Sequence, residues 1–191
     1  MRHKGVDKET TKKKVIEAAG RKFRKHGYAG IGIDALAKAA GVTSGAIYGH
    51  FGSKAGAFDS ALAAGLDEVL AALPEFQAKG ENWLSDFCDY YLGQEHQGDL
   101  ECGCAMASLT PEVIKFDSPQ KQLFETKMQR IADQLAIGLQ GDDALARAWT
   151  VLASLIGALN LLRACDSAAL KQTLATQFKA QILLLAKQGE A

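Results

Sequence analysis

Proline is scarce in this chain. Three occur in 191 residues, at positions 74, 111 and 119. Because proline breaks or kinks helices, the long proline-free stretches, rich in Ala, Leu, Lys, Gln and Glu, leave helices free to run. Runs of β-branched residues alternating with polar ones and bounded by turn signals are also lacking, which removes the case for strands. Apolar runs are short. The longest stretch without a charge is 148–162, between Arg147 and Arg163, and it holds Thr150, Ser154 and Asn160. A bilayer-spanning helix needs roughly 20 residues. No apolar segment follows the basic N-terminal residues, as a secretory signal requires. A cytoplasmic protein with no membrane partner is therefore expected, with the cysteines at 88, 102, 104 and 165 as reduced thiols. Histidine is confined to positions 3, 26, 50 and 96, which leaves little acid–base machinery. There is no P-loop, no dinucleotide glycine fingerprint, no Gly-x-Ser-x-Gly and no His-Glu-x-x-His. These absences argue against an enzyme, and no cofactor or metal is expected.

What is present is an uneven distribution of charge. The net charge is zero, yet residues 1–58 hold twelve Lys and Arg against four Asp and Glu, a balance of +8. Residues 59–191 hold ten against eighteen, a balance of −8. A basic first third on an acidic remainder suits a chain whose N-terminal part alone meets a polyanion; the plainer reading is a solvated basic helix. The 48% hydrophobic and 23% charged content is that of an ordinary globular protein.

Helical periodicity divides the chain into about nine helices, an all-α fold. The first is expected over 10–26, with Val15, Ile16, Ala19 and Phe23 at helical spacing and Gly27 as its stop. The next spans 33–40, entered from Gly32 and ended by Gly41. A third, 44–50, is capped by Thr43, and a fourth opens at Ser53 and runs to about 72. Further helices are expected over 81–96, 104–115, 119–139, 143–164 and 167–187. Two short helices joined by a three-residue turn containing glycine make a helix-turn-helix. The division expected is a helix-turn-helix domain over 1–55 and a second helical domain over 56–191.

Residues 27–58 read GYAGIGIDALAKAAGVTSGAIYGHFGSKAGAF. Leu36, Ala37 and Ala40 are inward and small enough for crossing helices to approach; Val42 and Ile47 plug the space between them. That leaves Thr43, Ser44, Gly45, Ala46, Tyr48, Gly49 and His50 on the outer face, where a recognition helix meets the major groove. Lys12, Lys13 and Lys14 read as a solvated face.

The stretch 12–58 resembles the N-terminal domain of the TetR family of repressors. The residues that carry the resemblance are Ala18, Ala19, Phe23, Gly27 and Tyr28, then Ala37, Ala40, Gly41 and Val42, then Tyr48, His50, Phe51 and Lys54. The resemblance implies that Thr43, Ser44 and Tyr48 contact DNA, that His50 and Lys54 contact phosphates, and that Phe51 is core. A cation beside a helix N-terminus suits a phosphate. Three departures stand out. Gly32 replaces the usual Ser or Thr, Gly49 a larger side chain, and Ala55-Gly56 a more polar pair.

The resemblance also implies a homodimer on a double-stranded operator, released by a small-molecule effector, with the last two helices of each subunit forming the interface. The helix over 143–164 carries one apolar stripe at Leu145, Trp149, Leu152, Ile156 and Leu159 and a second at Ala148, Val151, Leu155, Ala158 and Leu162. One stripe can pack inward while the other meets a partner. The residues expected at the partner are Val151, Leu155, Ala158 and Leu162, joined by Phe178 and Ile182 of the last helix. The middle region, 81–140, is expected to line the effector pocket with Trp83, Phe87, Tyr90, Tyr91, Met106, Phe116, Phe124 and Met128, suiting an apolar or aromatic ligand. Two alternatives stand beside this. One is a repressor that senses oxidants or electrophiles through Cys102 and Cys104, with Cys88 and His96 nearby in sequence. No Lys or Arg lies within ten residues of that pair, and Asp99 and Glu101 adjoin it, which favours inert buried thiols. The other is a helical interaction adaptor that binds no DNA.

Overall fold

The structure, a computed structural model, describes residues 3–187, with side chains from residue 8 onward. Met1 and Arg2, part of the basic N-terminal third, lie outside the described residues. Among the described residues there are ten helices and no strand. They are α1 (His3–His26), α2 (Ile33–Ala40), α3 (Ser44–Phe51), α4 (Lys54–Gln77), α5 (Trp83–Tyr91), α6 (Gln94–Gly98), α7 (Ala105–Val113), α8 (Ser118–Ile137), α9 (Ala144–Ala164) and α10 (Ala168–Lys187). The single helix expected over 81–96 is two, because Gly93 adopts an extended conformation (φ −71°, ψ 169°) between them. Conversely, α4 continues past Pro74 where a stop near 72 was expected. The proline falls in the last turn, so only its own missing N–H is lost, and the Ala78 amide still donates to the Pro74 carbonyl at 3.0 Å.

The chain divides into two compact units, Met1–Gly65 with Leu100–Phe124, and Leu66–Asp99 with Glu125–Ala191. This grouping differs from a single cut after residue 55, since the first unit takes in α7 as well. Its core explains why. Val15, Ala18, Ala19 and Phe23 of α1, Leu36 and Ala37 of α2, Ile47 of α3 and Phe58 of α4 are all buried. Phe116, beyond α7, completes an aromatic cluster: its ring centroid lies 4.6 Å from that of Tyr28 and 4.9 Å from that of Phe58, which meets Phe23 edge-on at 5.2 Å. At Gly65 a Cβ would come within 2.6 Å of the Ala105 Cβ, so α4 and α7 touch at a point where only glycine fits.

Ionic contacts tie the 100–124 segment to α1. Glu101 accepts from Lys22 Nζ at 2.8 Å and Lys25 Nζ at 3.0 Å, and its backbone carbonyl accepts from Arg24 Nε at 2.8 Å. These donors, Lys22 foremost, hold the Glu101 carboxyl down at about 2. Glu112 accepts from the Tyr28 amide at 3.0 Å and pairs with Lys115 at 2.7 Å. Burial works against its charged form, but these donors outweigh it and keep its pKa below the usual range. A lowered pKa contributes stability that is complete above the unfolded value of about 4.5 and is lost as pH falls towards about 2. Glu101→Gln is therefore expected to lower the Tm at neutral pH and to flatten its acid dependence. A pH series of thermal melts checks this; a variant with the native acid slope would assign that slope to other groups.

In the second unit α9 is the central helix, with α5, α6 and α10 packed on it. It is long and apolar enough, by length and composition alone, to cross a membrane. Its inner face, however, is buried in protein: Ala148, Val151, Leu152, Leu155, Leu159 and Leu162 are fully enclosed. Arg147 near its start is also buried. Its Nε donates to Asp143 at 2.7 Å, and its other nitrogens donate to the carbonyls of Ala186 and Gln140, which leaves its charge well partnered.

Candidate nucleic-acid interface

Helix α2 begins at Gly32, whose lack of a side chain leaves no cap, and ends at Gly41 in the left-handed region (φ 66°). That conformation lets the Gly41 and Val42 amides close on the carbonyls of Lys38 and Ala37, the turn a side chain would strain. Thr43 then caps α3, its hydroxyl accepting from the Ala46 amide at 3.2 Å. Ile47, fully buried, pins α3 to the core, and its neighbours turn outward. Thr43, Gly45, Tyr48 and Gly49 are exposed, Tyr48 by 53%, while Ser44, Ala46 and His50 are half-buried. Phe51, expected as core, is half-buried. Ser53 caps α4 through the Gly56 amide at 3.0 Å, so Lys54 stands in the capped first turn of that helix.

Three features of this surface were not legible in the local pattern. The Ser44 hydroxyl donates to Asp34 at 2.5 Å, joining the start of α3 to the first turn of α2. The Lys54 ammonium lies 4.4 Å from the centre of the Tyr28 ring, so the aromatic cluster positions that cation. Lys8 and Lys12, with Glu9, line a cleft of about 350 Å³ whose other wall is Gly49 and His50. Lys12 is thus not merely part of a solvated face. The spacing of Lys8 and Lys12, one helical turn apart, was the available signal; what it lacked was the partner helix.

The expected effector pocket is not where the structure has its large groove. Trp83, Phe87, Tyr91, Met106 and Met128 are buried core. Trp83 donates its indole N–H to the Gly138 carbonyl at 3.2 Å, and Phe87 packs edge-on against Phe76 at 5.3 Å. Tyr90 is exposed and lies against His96, Phe116 belongs to the first unit's aromatic cluster, and Phe124 is half-buried. None of the eight lines the groove of about 1120 Å³ that opens between α5–α6 and α10. Aromatic side chains this large fill the interior by packing on one another, so space remains where side chains are small.

The expected dimer face is corrected as well. Val151, Leu155, Ala158, Leu162 and Ile182 are buried within the protomer, and Phe178 is half-buried. The second stripe, joined by Leu152 and Leu159 of the first, forms the inward face, because α9 is covered by α5, α6 and α10. The outward row is instead Leu145, Trp149, Ala153, Gly157 and Leu161, all exposed at successive steps of four. On α10, Leu170 and Leu184 are exposed. Of the cysteine pair, Cys102 is exposed and Cys104 buried. The cations missing from the local sequence are supplied by α1, through Lys22, Arg24 and Lys25 on Glu101. Among the described residues no three His, Cys, Asp or Glu gather as a metal site would need.

A short helix anchored by Leu36 and Ala37, a three-residue glycine turn and a second helix anchored by Ile47 define a helix-turn-helix protein. Residues 15–61 match the model for bacterial regulatory proteins of the tetR family. An HTH-type transcriptional repressor of Streptomyces coelicolor is 33% identical over 85 residues, and the match spans 44% of this chain and 44% of that relative's length. The fold extends the likeness over the rest of the chain. A TetR-family transcriptional regulator from Pectobacterium atrosepticum is 25% identical, with 97% of this chain and 95% of that one covered at a TM-score of 0.61. One from Agrobacterium tumefaciens is 17% identical, with 92% and 98% covered at 0.75. Residues 15–61 therefore match the tetR-type helix-turn-helix segment, and the described helices share the fold of TetR-family transcriptional regulators.

Proposed function

We propose that the protein is a cytoplasmic transcriptional repressor that binds a palindromic operator as a homodimer and is released by a small molecule. The observation that carries this reading is the outer face of α3, where Thr43, Gly45, Tyr48 and Gly49 stand exposed on the chain's basic third. In the proposed complex Thr43, Ser44, Gly45, Ala46 and Gly49 approach the base edges, with small side chains that let the α3 backbone enter the groove closely. Tyr48, His50 and Lys54 hold phosphates, and the cleft of Lys8 and Lys12 beside His50 extends the same cationic surface. A single α3 makes few contacts, so a twofold pair reading half-sites about one helical turn apart fits the operator. The outward row of α9, with small Ala153 and Gly157 between Leu145, Trp149 and Leu161, suits close helix packing in that pair.

The test is selection of genomic fragments by the full-length protein, followed by a gel shift on the fragments recovered. Recovery of a palindromic site supports the reading, and failure to enrich any sequence overturns it. A Cys102→Ser, Cys104→Ser variant is expected to bind that site and to be released by the native inducer as the native protein is. Loss of a native response to oxidants or electrophiles in that variant would instead favour the thiol-sensing alternative.

A further inference from the structure

We propose that the groove between α5–α6 and α10 binds a small monocarboxylate with an apolar body. The proposal rests on the reading of the chain as an effector-controlled regulator and gives the effector its chemistry. The groove exists because its walls carry small residues, among them Gly93, Ala168, Ala175 and Ala180, and its volume of about 1120 Å³ holds a small organic molecule with its mouth open to solvent. Leu92 and Leu183 supply apolar lining for such a body.

The charges select the sign of the ligand. Within the second unit Asp and Glu outnumber Lys and Arg by fourteen to eight, yet α10 carries Lys171, Lys179 and Lys187 and no acidic residue. Lys171 and Lys179 line the groove, two turns and roughly 12 Å apart along one face of α10. The one acidic residue among the lining groups is Asp89. It reaches Lys179 at 2.5 Å from the rim, where its side chain is 63% exposed against 26% for the lysine. The groove therefore holds two cations and one anion, an excess that a single carboxylate neutralises. Cys88, also in the lining, adds no charge, because burial foremost pushes its thiol up to about 12. Lysine ammonium groups act as point charges and offer no planar fork, which suits one carboxylate better than a group needing several directed donors. The ligand's carboxylate pairs with Lys171 and shares Lys179 with Asp89, while its body lies along Leu92, Leu183 and the alanines.

The test uses the full chain without DNA, with octanoate and salicylate as probes and octanamide and salicylamide as their uncharged counterparts. Calorimetric titration and thermal shift are expected to show at least one of the carboxylates binding and raising the Tm, and neither amide doing so. Lys171→Met and Lys179→Met are each expected to weaken that binding by about tenfold. Ala175→Phe, which fills the groove from the α10 side, is expected to abolish it while leaving the ligand-free Tm close to native. The proposal is overturned if neither carboxylate binds, if amides and carboxylates bind alike, or if the lysine variants bind as the native protein does. Operator binding is measured separately on the same preparations. Its failure would overturn the regulatory reading and leave the groove result standing.

Discussion

A Leu145→Glu, Trp149→Glu variant is expected to sediment as a folded monomer and to lose roughly 100-fold or more in operator affinity. Both side chains are outward in the protomer, 42% and 38% exposed, so glutamates there remain solvated and leave the Tm of the protomer's own fold intact. In a twofold pair packed along the α9 row, the same substitutions place four carboxylates in the interface without partners, which removes the association. Loss of the dimer separates the two α3 helices and with it the gain from joining two half-sites. Val151→Glu is the informative contrast. Val151 is fully buried within the protomer, so its replacement is expected to unfold the second unit rather than to yield a monomer. Sedimentation beside circular dichroism separates the two outcomes. A double variant that stays dimeric would place the interface on another surface.

The second large effect is expected from Lys54→Ala. A dimer loses two cations, and if each neutralises a phosphate, the slope of log K against log salt falls by up to about 2. Affinity drops for specific and nonspecific DNA alike, because a phosphate contact carries no sequence information. Tyr28→Leu is expected to reproduce part of this loss, since it removes the ring that holds the ammonium 4.4 Å from its centre while leaving Lys54 in place. Ser44→Ala is expected to differ in kind. It shifts which operator is preferred, because it changes the start of α3 and frees Asp34, and it leaves the salt slope near native. Salt titrations of operator and nonspecific DNA with the native and variant proteins distinguish these patterns. Unchanged affinity and slope in Lys54→Ala would remove that residue from the phosphate surface.

The first unit was largely legible because its signals are local. Gly27 and Gly41 mark helix ends through backbone conformations that other residues resist, and the hydroxyls of Thr43 and Ser53 cap the turns that follow them. Ile47 declared itself as the one branched aliphatic side chain on α3. What escaped was anything that depends on which neighbour an apolar face meets. Along α9 the spacing of Val151, Leu155 and Leu162 gives an apolar stripe, but the same stripe suits a partner subunit or the protomer's own core. Phe116 fits an effector pocket by composition and instead lies between Tyr28 and Phe58, more than fifty residues away in sequence. The bond from Ser44 to Asp34 and the ion pairs of Glu101 likewise join side chains that no local period relates.

Helix α3 spends two of its eight positions on glycine, at 45 and 49. Each costs about 1 kcal/mol of helix propensity relative to alanine, and a segment this short is far below the length at which a helix is stable alone in water. What holds it is the Thr43 cap, the Ser44–Asp34 bond and the single buried anchor Ile47. Amide protons of Tyr48 to Phe51 therefore exchange with solvent by opening of α3 alone, well before α1 or α4 unfold. If this surface reads the operator as proposed, it is expected to open more readily than the helices behind it, and part of the free energy of binding then goes into stilling it.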